Sequence, residues 1–168
     1  MDMNELSFQS LPLSLTTASP EETEAVGAAL GRLIDTDATV PPYIAMFGDL
    51  GVGKTAFVRG LASVLAPGRA VRSPTFSLVH EYSTPGKRPL FHFDLYRIDS
   101  EDDLYSIGYD DYPDAGICVC EWCEKIPYAL PARRLEVRIS KTDAGTDMRK
   151  IDIILLPLLS NQKEAPAC

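Results

Sequence analysis

The sequence predicts an α/β fold: a mixed, mainly parallel central sheet with antiparallel strands attached and helices flanking it. Three observations predict this. Residues 48–55 read Gly48-Asp49-Leu50-Gly51-Val52-Gly53-Lys54-Thr55, a complete GxxxxGK[ST] pattern. The run before it, Tyr43-Ile44-Ala45-Met46-Phe47, is apolar and β-prone, while Phe57, Val58, Leu61, Ala62 and Leu65 after it fall on one helical face. Strand, glycine-rich loop and helix are the context such a loop needs to bind phosphate, so the P-loop NTPase fold is the expectation.

The remaining elements follow from local signals. Ser19 is placed to cap a first helix, with Pro20 at its first position and Glu22 completing a capping box. Val26, Ala29, Leu30, Leu33 and Ile34 then make an apolar stripe, and residues 35–42 form a loop into the strand of the phosphate site. Residues 73–82 begin as a loop and continue as an alternating strand. Pro85-Gly86 marks a turn, and Leu90 to Leu95 returns as a second strand, so the two form a hairpin. A short helix is expected from Ser100, its cap, to Ile107, stopped by Gly108. Ala115 to Glu121 is an apolar run ending in an acid. Strands at Leu135 to Ser140 and Lys150 to Leu156 flank a turn through Asp143-Ala144-Gly145.

A chain of 168 residues reads as one domain, with a core over about residues 12–157 and short flexible termini at 1–10 and 160–168. No apolar stretch reaches membrane-spanning length, and the N-terminus lacks a signal peptide's basic start, so a cytoplasmic protein is expected. Cys118, Cys120, Cys123 and Cys168 are then reduced thiols. No second cysteine pair has ligand spacing, so a zinc site is not expected. A formal net charge of −8 argues against tight, unaided binding to nucleic acid.

In the loop, glycines let backbone N–H groups turn toward phosphate oxygens at a helix N-terminus. Lys54 can reach the β- and γ-phosphates, and the Thr55 hydroxyl can ligate Mg²⁺. Hydrolysis needs carboxylates as well. Glu121, at the exit of Ile117-Cys118-Val119-Cys120, is the best candidate to hold Mg²⁺ or orient water, since that end of an α/β sheet lies beside the loop. Trp122 follows it directly, as core packing or as a lid over the nucleotide. Asp94, an acid interrupting an apolar strand, is a second metal- or water-positioning candidate. His92 shares its face and reads as a core residue. Thr75, after Ser73-Pro74, sits on a loop that could close over the γ-phosphate.

Together these blocks resemble the bacterial TsaE (YjeE) family over about residues 20–155. The similarity lies in the loop followed by Phe57-Val58-Arg59-Gly60-Leu61, then Ser73-Pro74-Thr75-Phe76, His92-Phe93-Asp94-Leu95-Tyr96-Arg97 and Glu121-Trp122. The resemblance implies a small Mg²⁺-dependent ATPase needed for threonylcarbamoyl modification of adenosine 37 in tRNAs that read ANN codons. It implies partners, TsaB and TsaD, that activate hydrolysis, with ATP resetting the complex between turnovers and tRNA met only indirectly. Carried onto this chain, it makes Lys54, Thr75, Asp94 and Glu121 catalytic, with Thr55 and Glu121 holding Mg²⁺. Gly48, Asp49, Gly51, Val52, Gly53, Lys54, Thr55, Ala56 and Trp122 surround ATP, and Pro20 and Thr23 approach adenine. The sequence departs from the family at Ala56, where a second Thr or Ser is common. It also departs at His80, in place of asparagine, and at Cys123, in place of proline.

Other readings have weaker support. A small-molecule kinase would carry an arginine-rich lid, and only Arg133-Arg134 cluster. Ser140-Lys141-Thr142-Asp143 loosely mimics a guanine-reading NKxD motif but lacks the asparagine. A nucleotide-gated scaffold with incidental hydrolysis would share every motif named above.

Overall fold

The structure, a computed structural model, describes residues 10–86, 88–143 and 145–157. The expected polar ends therefore lie outside the described residues, apart from Ser10. The strands are β1 (Leu13–Thr17), β2 (Tyr43–Phe47), β3 (Val79–Tyr82), β4 (Leu90–Asp94), β5 (Ile117–Glu121), β6 (Arg134–Lys141) and β7 (Arg149–Leu156). The helices are α1 (Pro20–Thr36), α2 (Lys54–Leu65), α3 (Glu101–Ser106) and α4 (Tyr112–Ala115).

These strands form one sheet in the order β1-β7-β6-β2-β5-β4-β3. The pairings of β2 with β5 and β6, and of β4 with β5, are parallel. Those of β7 with β1 and β6, and of β3 with β4, are antiparallel. All strands but β7 and β3 therefore run one way, which is the mixed, mainly parallel α/β sheet that the sequence predicts.

Central strands buried on both faces explain why their sequences read as unbroken apolar runs. Ile44, Met46, Leu90, Val119, Leu135 and Val137 turn toward α1 and α2, packing with Leu30, Phe57 and Leu61. Tyr43, Ala45, Phe91, Phe93, Cys118 and Cys120 point to the other face, where Leu104, Tyr109 and Ile126 cover them. Cys118, Cys120 and Cys123 are thus small core residues, while Cys168 lies outside the described residues. Burial pushes the Cys118 thiol up to about 12 and raises that of Cys120 as well, so both stay protonated.

Helix α1 starts as its sequence requires: the Ser19 hydroxyl accepts the Glu22 N–H at 3.1 Å. The Glu22 carboxylate reaches back to Ala18 N–H at 2.7 Å, one residue before the cap. Helices α1 and α2 approach backbone to backbone. A Cβ on Gly60 would lie 1.8 Å from Glu24 O, and one on Gly27 would lie 2.0 Å from Phe57 O.

The hairpin of β3 and β4 and the pair β6–β7 form as expected, the latter longer by one residue at most ends. Helix α3 is shorter than expected, but Ser100 caps it in a full capping box with Asp103. Strand β5 starts at Ile117 because Ala115 ends α4. Strand β1 and the single-turn helix α4 are absent from the sequence reading. The alternation of β1, Leu13-Ser14-Leu15-Thr16-Thr17, is short, and its partner β7 is distant in sequence.

Candidate functional site

The loop between β2 and α2 is shaped by its glycines. Gly48 has φ 139°, and a Cβ there would lie 2.3 Å from Ile139 O, so no other residue fits. Gly53, with φ 106°, caps α2. The first helical bond from the cap runs from Phe57 N–H to Gly53 O at 3.0 Å. The helix therefore supplies no acceptor for the N–H groups of Lys54, Thr55 and Ala56, which makes its N-terminus an anion-binding end.

Lys54 is buried, its ammonium donating to Gly48 O and, at 2.9 Å, to Asp49 O. It lies 3.9 Å from the centre of the Trp122 ring, within cation–π range. Burial pulls the Lys54 ammonium below its ordinary value, opposed by the carboxylates of Glu121, Glu124, Asp94 and Asp49. Four acids thus surround one buried cation.

Glu121 ends β5, next to β2, and is itself buried at 3 % exposure. The Thr55 hydroxyl donates to it at 3.2 Å (Oε1) and 3.4 Å (Oε2), while His92 Nε2 lies 2.8 Å from Oε1. A hydroxyl and a carboxylate at a helix N-terminus are hard oxygen donors of the kind Mg²⁺ takes, so the residues present fit that ion. Asp94 pairs with Glu121 across the parallel β4–β5 ladder, which puts both acids on one face at the carboxyl ends of adjacent strands. Its Oδ2 accepts from Ser73 at 2.8 Å and Thr75 at 2.9 Å, and its Oδ1 from Tyr96 N–H at 3.0 Å. The Ser73–Pro74–Thr75 loop is thereby tied to the second carboxylate.

Trp122 is neither a core residue nor free. Its left-handed backbone, φ 65°, swings the half-buried ring over Lys54 and against Tyr96, 5.0 Å between centres. Lys54, Thr55, Ser73, Thr75, Asp94, Glu121 and Trp122 line one cleft of about 470 Å³, with Gly51, Val52, Gly53, Ala56, Pro20 and Thr23, whereas Gly48 and Asp49 stand outside its lining. The Thr23 hydroxyl is engaged within the protein, by Ser19 O at 3.2 Å and Thr17 Oγ1 at 2.9 Å. Asp49 contributes through its carbonyl, which accepts from Lys54.

Four contacts escaped the sequence reading. Ser73 joins Thr75 on Asp94, and His92 touches Glu121 instead of serving only as core. Glu124 Oε1 accepts the Gly48 N–H at 2.6 Å. Arg149 donates through Nε to Val52 O at 2.9 Å, holding the loop from a strand 97 residues away. The His-x-Asp spacing already put His92 on the face of Asp94, but not against Glu121, which belongs to the neighbouring strand. Nothing local could have flagged Arg149. Cys123, buried, donates its thiol to Cys120 O at 3.1 Å.

Comparison with known proteins agrees with this geometry. The family described as "Threonylcarbamoyl adenosine biosynthesis protein TsaE" matches residues 17–151. The tRNA threonylcarbamoyladenosine biosynthesis protein TsaE of Bacillus subtilis (strain 168) is 39% identical over 140 residues, 83% of each chain. Its counterpart from Nostoc sp. is 36% identical over 140 residues, covering 80% of this chain and 82% of its own. The crystal structure of Bacillus subtilis YdiB superposes with a TM-score of 0.64 at 34% identity, over 86% of this chain and 85% of that one. The match spans the loop, both carboxylates and Trp122, and the chain belongs to the TsaE family.

Proposed function

We propose that this chain is a Mg²⁺-dependent ATPase that serves tRNA threonylcarbamoyladenosine biosynthesis as one domain. We propose that it does so by resetting a complex of TsaB-like and TsaD-like partners. The observation that carries the reading is the convergence of Lys54, Thr55, Glu121 and Asp94 in a single cleft at the mouth of the phosphate loop. A bare phosphate loop binds; two buried carboxylates beside it supply what hydrolysis requires in addition.

The roles follow from the contacts. The first-turn N–H groups of α2 and the Lys54 ammonium hold phosphate oxygens. Thr55 and Glu121 would hold Mg²⁺, which would supply positive charge beside the phosphates. Asp94 is the carboxylate that orients the attacking water. Thr75, bonded to Asp94, couples the 73–75 loop to that water. Trp122 walls the cleft beside Lys54, excluding solvent. Pro20 and Thr23 give the base apolar contact, with the Thr23 hydroxyl occupied internally.

The acidic chain suits a protein that reaches tRNA only through its partners. A cytoplasmic site of action is part of the proposal. Among the described residues no helix is long and apolar enough to cross a membrane. The test is phosphate release from ATP and GTP, with and without the two partners. ATP-specific turnover that rises on partner addition supports the reading. A GTP preference, or rates indifferent to the partners, contradicts it.

A further inference from the structure

We infer that His92 is a positioning residue of this centre, its Nε2–H orienting the Glu121 carboxylate toward Thr55; the inference rests on the hydrolytic reading above. Strand periodicity puts His92 on the same sheet face as Asp94, with Val119 opposite it in the register and Glu121 opposite Asp94. The imidazole is fully buried, and Glu121 is nearly so. A buried carboxylate must be satisfied by donors. The Thr55 hydroxyl serves both Glu121 oxygens at 3.2 and 3.4 Å, whereas His92 Nε2 sits on Oε1 alone at 2.8 Å. His92 is therefore the donor that fixes which way the carboxylate faces, holding Oε1 while both oxygens stay within reach of the Thr55 hydroxyl.

The other ring nitrogen sharpens the argument. His92 Nδ1 is buried with no hydrogen-bond partner among the described residues. With no acceptor there, the proton belongs on Nε2, where Glu121 accepts it. A phenyl ring would fill the same space without orphaning an acceptor, so packing alone does not ask for imidazole. What the imidazole adds is the bond to Glu121. Groups that orient a metal-holding carboxylate in this way are worth about 10–100-fold in metal affinity or activity.

The test compares His92→Phe, which keeps the bulk, with His92→Gln, whose amide nitrogen reaches the place of Nε2. Trp122, the sole tryptophan, reports Mg²⁺ titrations of the ATP-bound protein by its fluorescence. We expect His92→Phe to lower kcat and raise the half-saturating Mg²⁺ concentration about 10–100-fold, with the KM for ATP nearly unchanged. His92→Gln should recover most of both losses, and thermal unfolding of each variant separates these effects from loss of fold. In the protein without nucleotide, ¹⁵N NMR of the ring should place the proton on Nε2. Equal behaviour of the Phe and Gln variants, or an Nε2 that carries no proton, would overturn the inference. A wild-type protein that answers Mg²⁺ but never turns ATP over would sink the hydrolytic reading instead. The Mg²⁺ half-saturation of the two variants would then decide the role of His92 alone.

Discussion

At the scale of single residues, the site is a small set of buried charges held in place by hydroxyls. Asp94 has three donors, and two come from the Ser73–Thr75 segment. Such a carboxylate is fixed in orientation before any substrate arrives, and pre-set polar groups contribute more than ones that must reorganise. Replacing Thr75 with valine keeps the shape and removes one donor. We expect kcat to fall by about 10-fold or more while ATP binding is retained, checked by steady-state kinetics beside equilibrium titration. A matching loss of binding would instead mean that Thr75 contacts the nucleotide directly. Several of these positions were legible in the sequence as candidates, and the structure brings them into one cleft. Lys54 and Thr55 are nominated by the spacing of the glycine-rich loop, and Glu121 and Asp94 as acids at the ends of apolar strands. Arg149 and Glu124 were not legible, because each acts on the loop through a contact created by the sheet order, far from any local motif.

Elements were readable where their period was unambiguous. Helices α1 and α2 announced themselves through caps and an apolar stripe, and β2, β4 and β5 through apolar runs that burial on both faces explains. Strand β1 was hidden because an edge strand of alternating short residues carries little signal until β7 pairs with it. One close approach of two helices was equally hidden. Gly60 lies against the backbone of Glu24, with room for hydrogen and nothing larger. Since Lys54 and Thr55 open α2, this contact also sets where the loop residues stand relative to α1. Gly60→Ala must push the helices apart, so its gain in helix propensity is outweighed. We expect a loss of about 1–3 kcal/mol. For a chain of this size that lowers Tm by roughly 2–4 °C per kcal/mol, measurable by thermal unfolding. An unchanged or raised Tm would mean that the two helices are free to separate.

For the whole molecule, the sheet order is what makes the site. Strand β2 lies between β6 and β5, so the loop leaving β2 emerges beside the Glu121 end of β5, and β4 brings Asp94 to the next position. The sequence fixes strand types, but their order depends on long-range pairings that no local pattern encodes; Glu121 and Asp94 could be nominated separately, not placed side by side. The central claim is that binding and hydrolysis belong to different residues of one cleft. It is tested most directly by measuring ATP binding and Mg²⁺-dependent ATP turnover side by side on the wild type, Lys54→Ala, Asp94→Ala and Glu121→Ala. The account predicts that Lys54→Ala abolishes binding, while each carboxylate variant still binds ATP and loses turnover by about 100-fold or more. Carboxylate variants that hydrolyse ATP at the wild-type rate would contradict it.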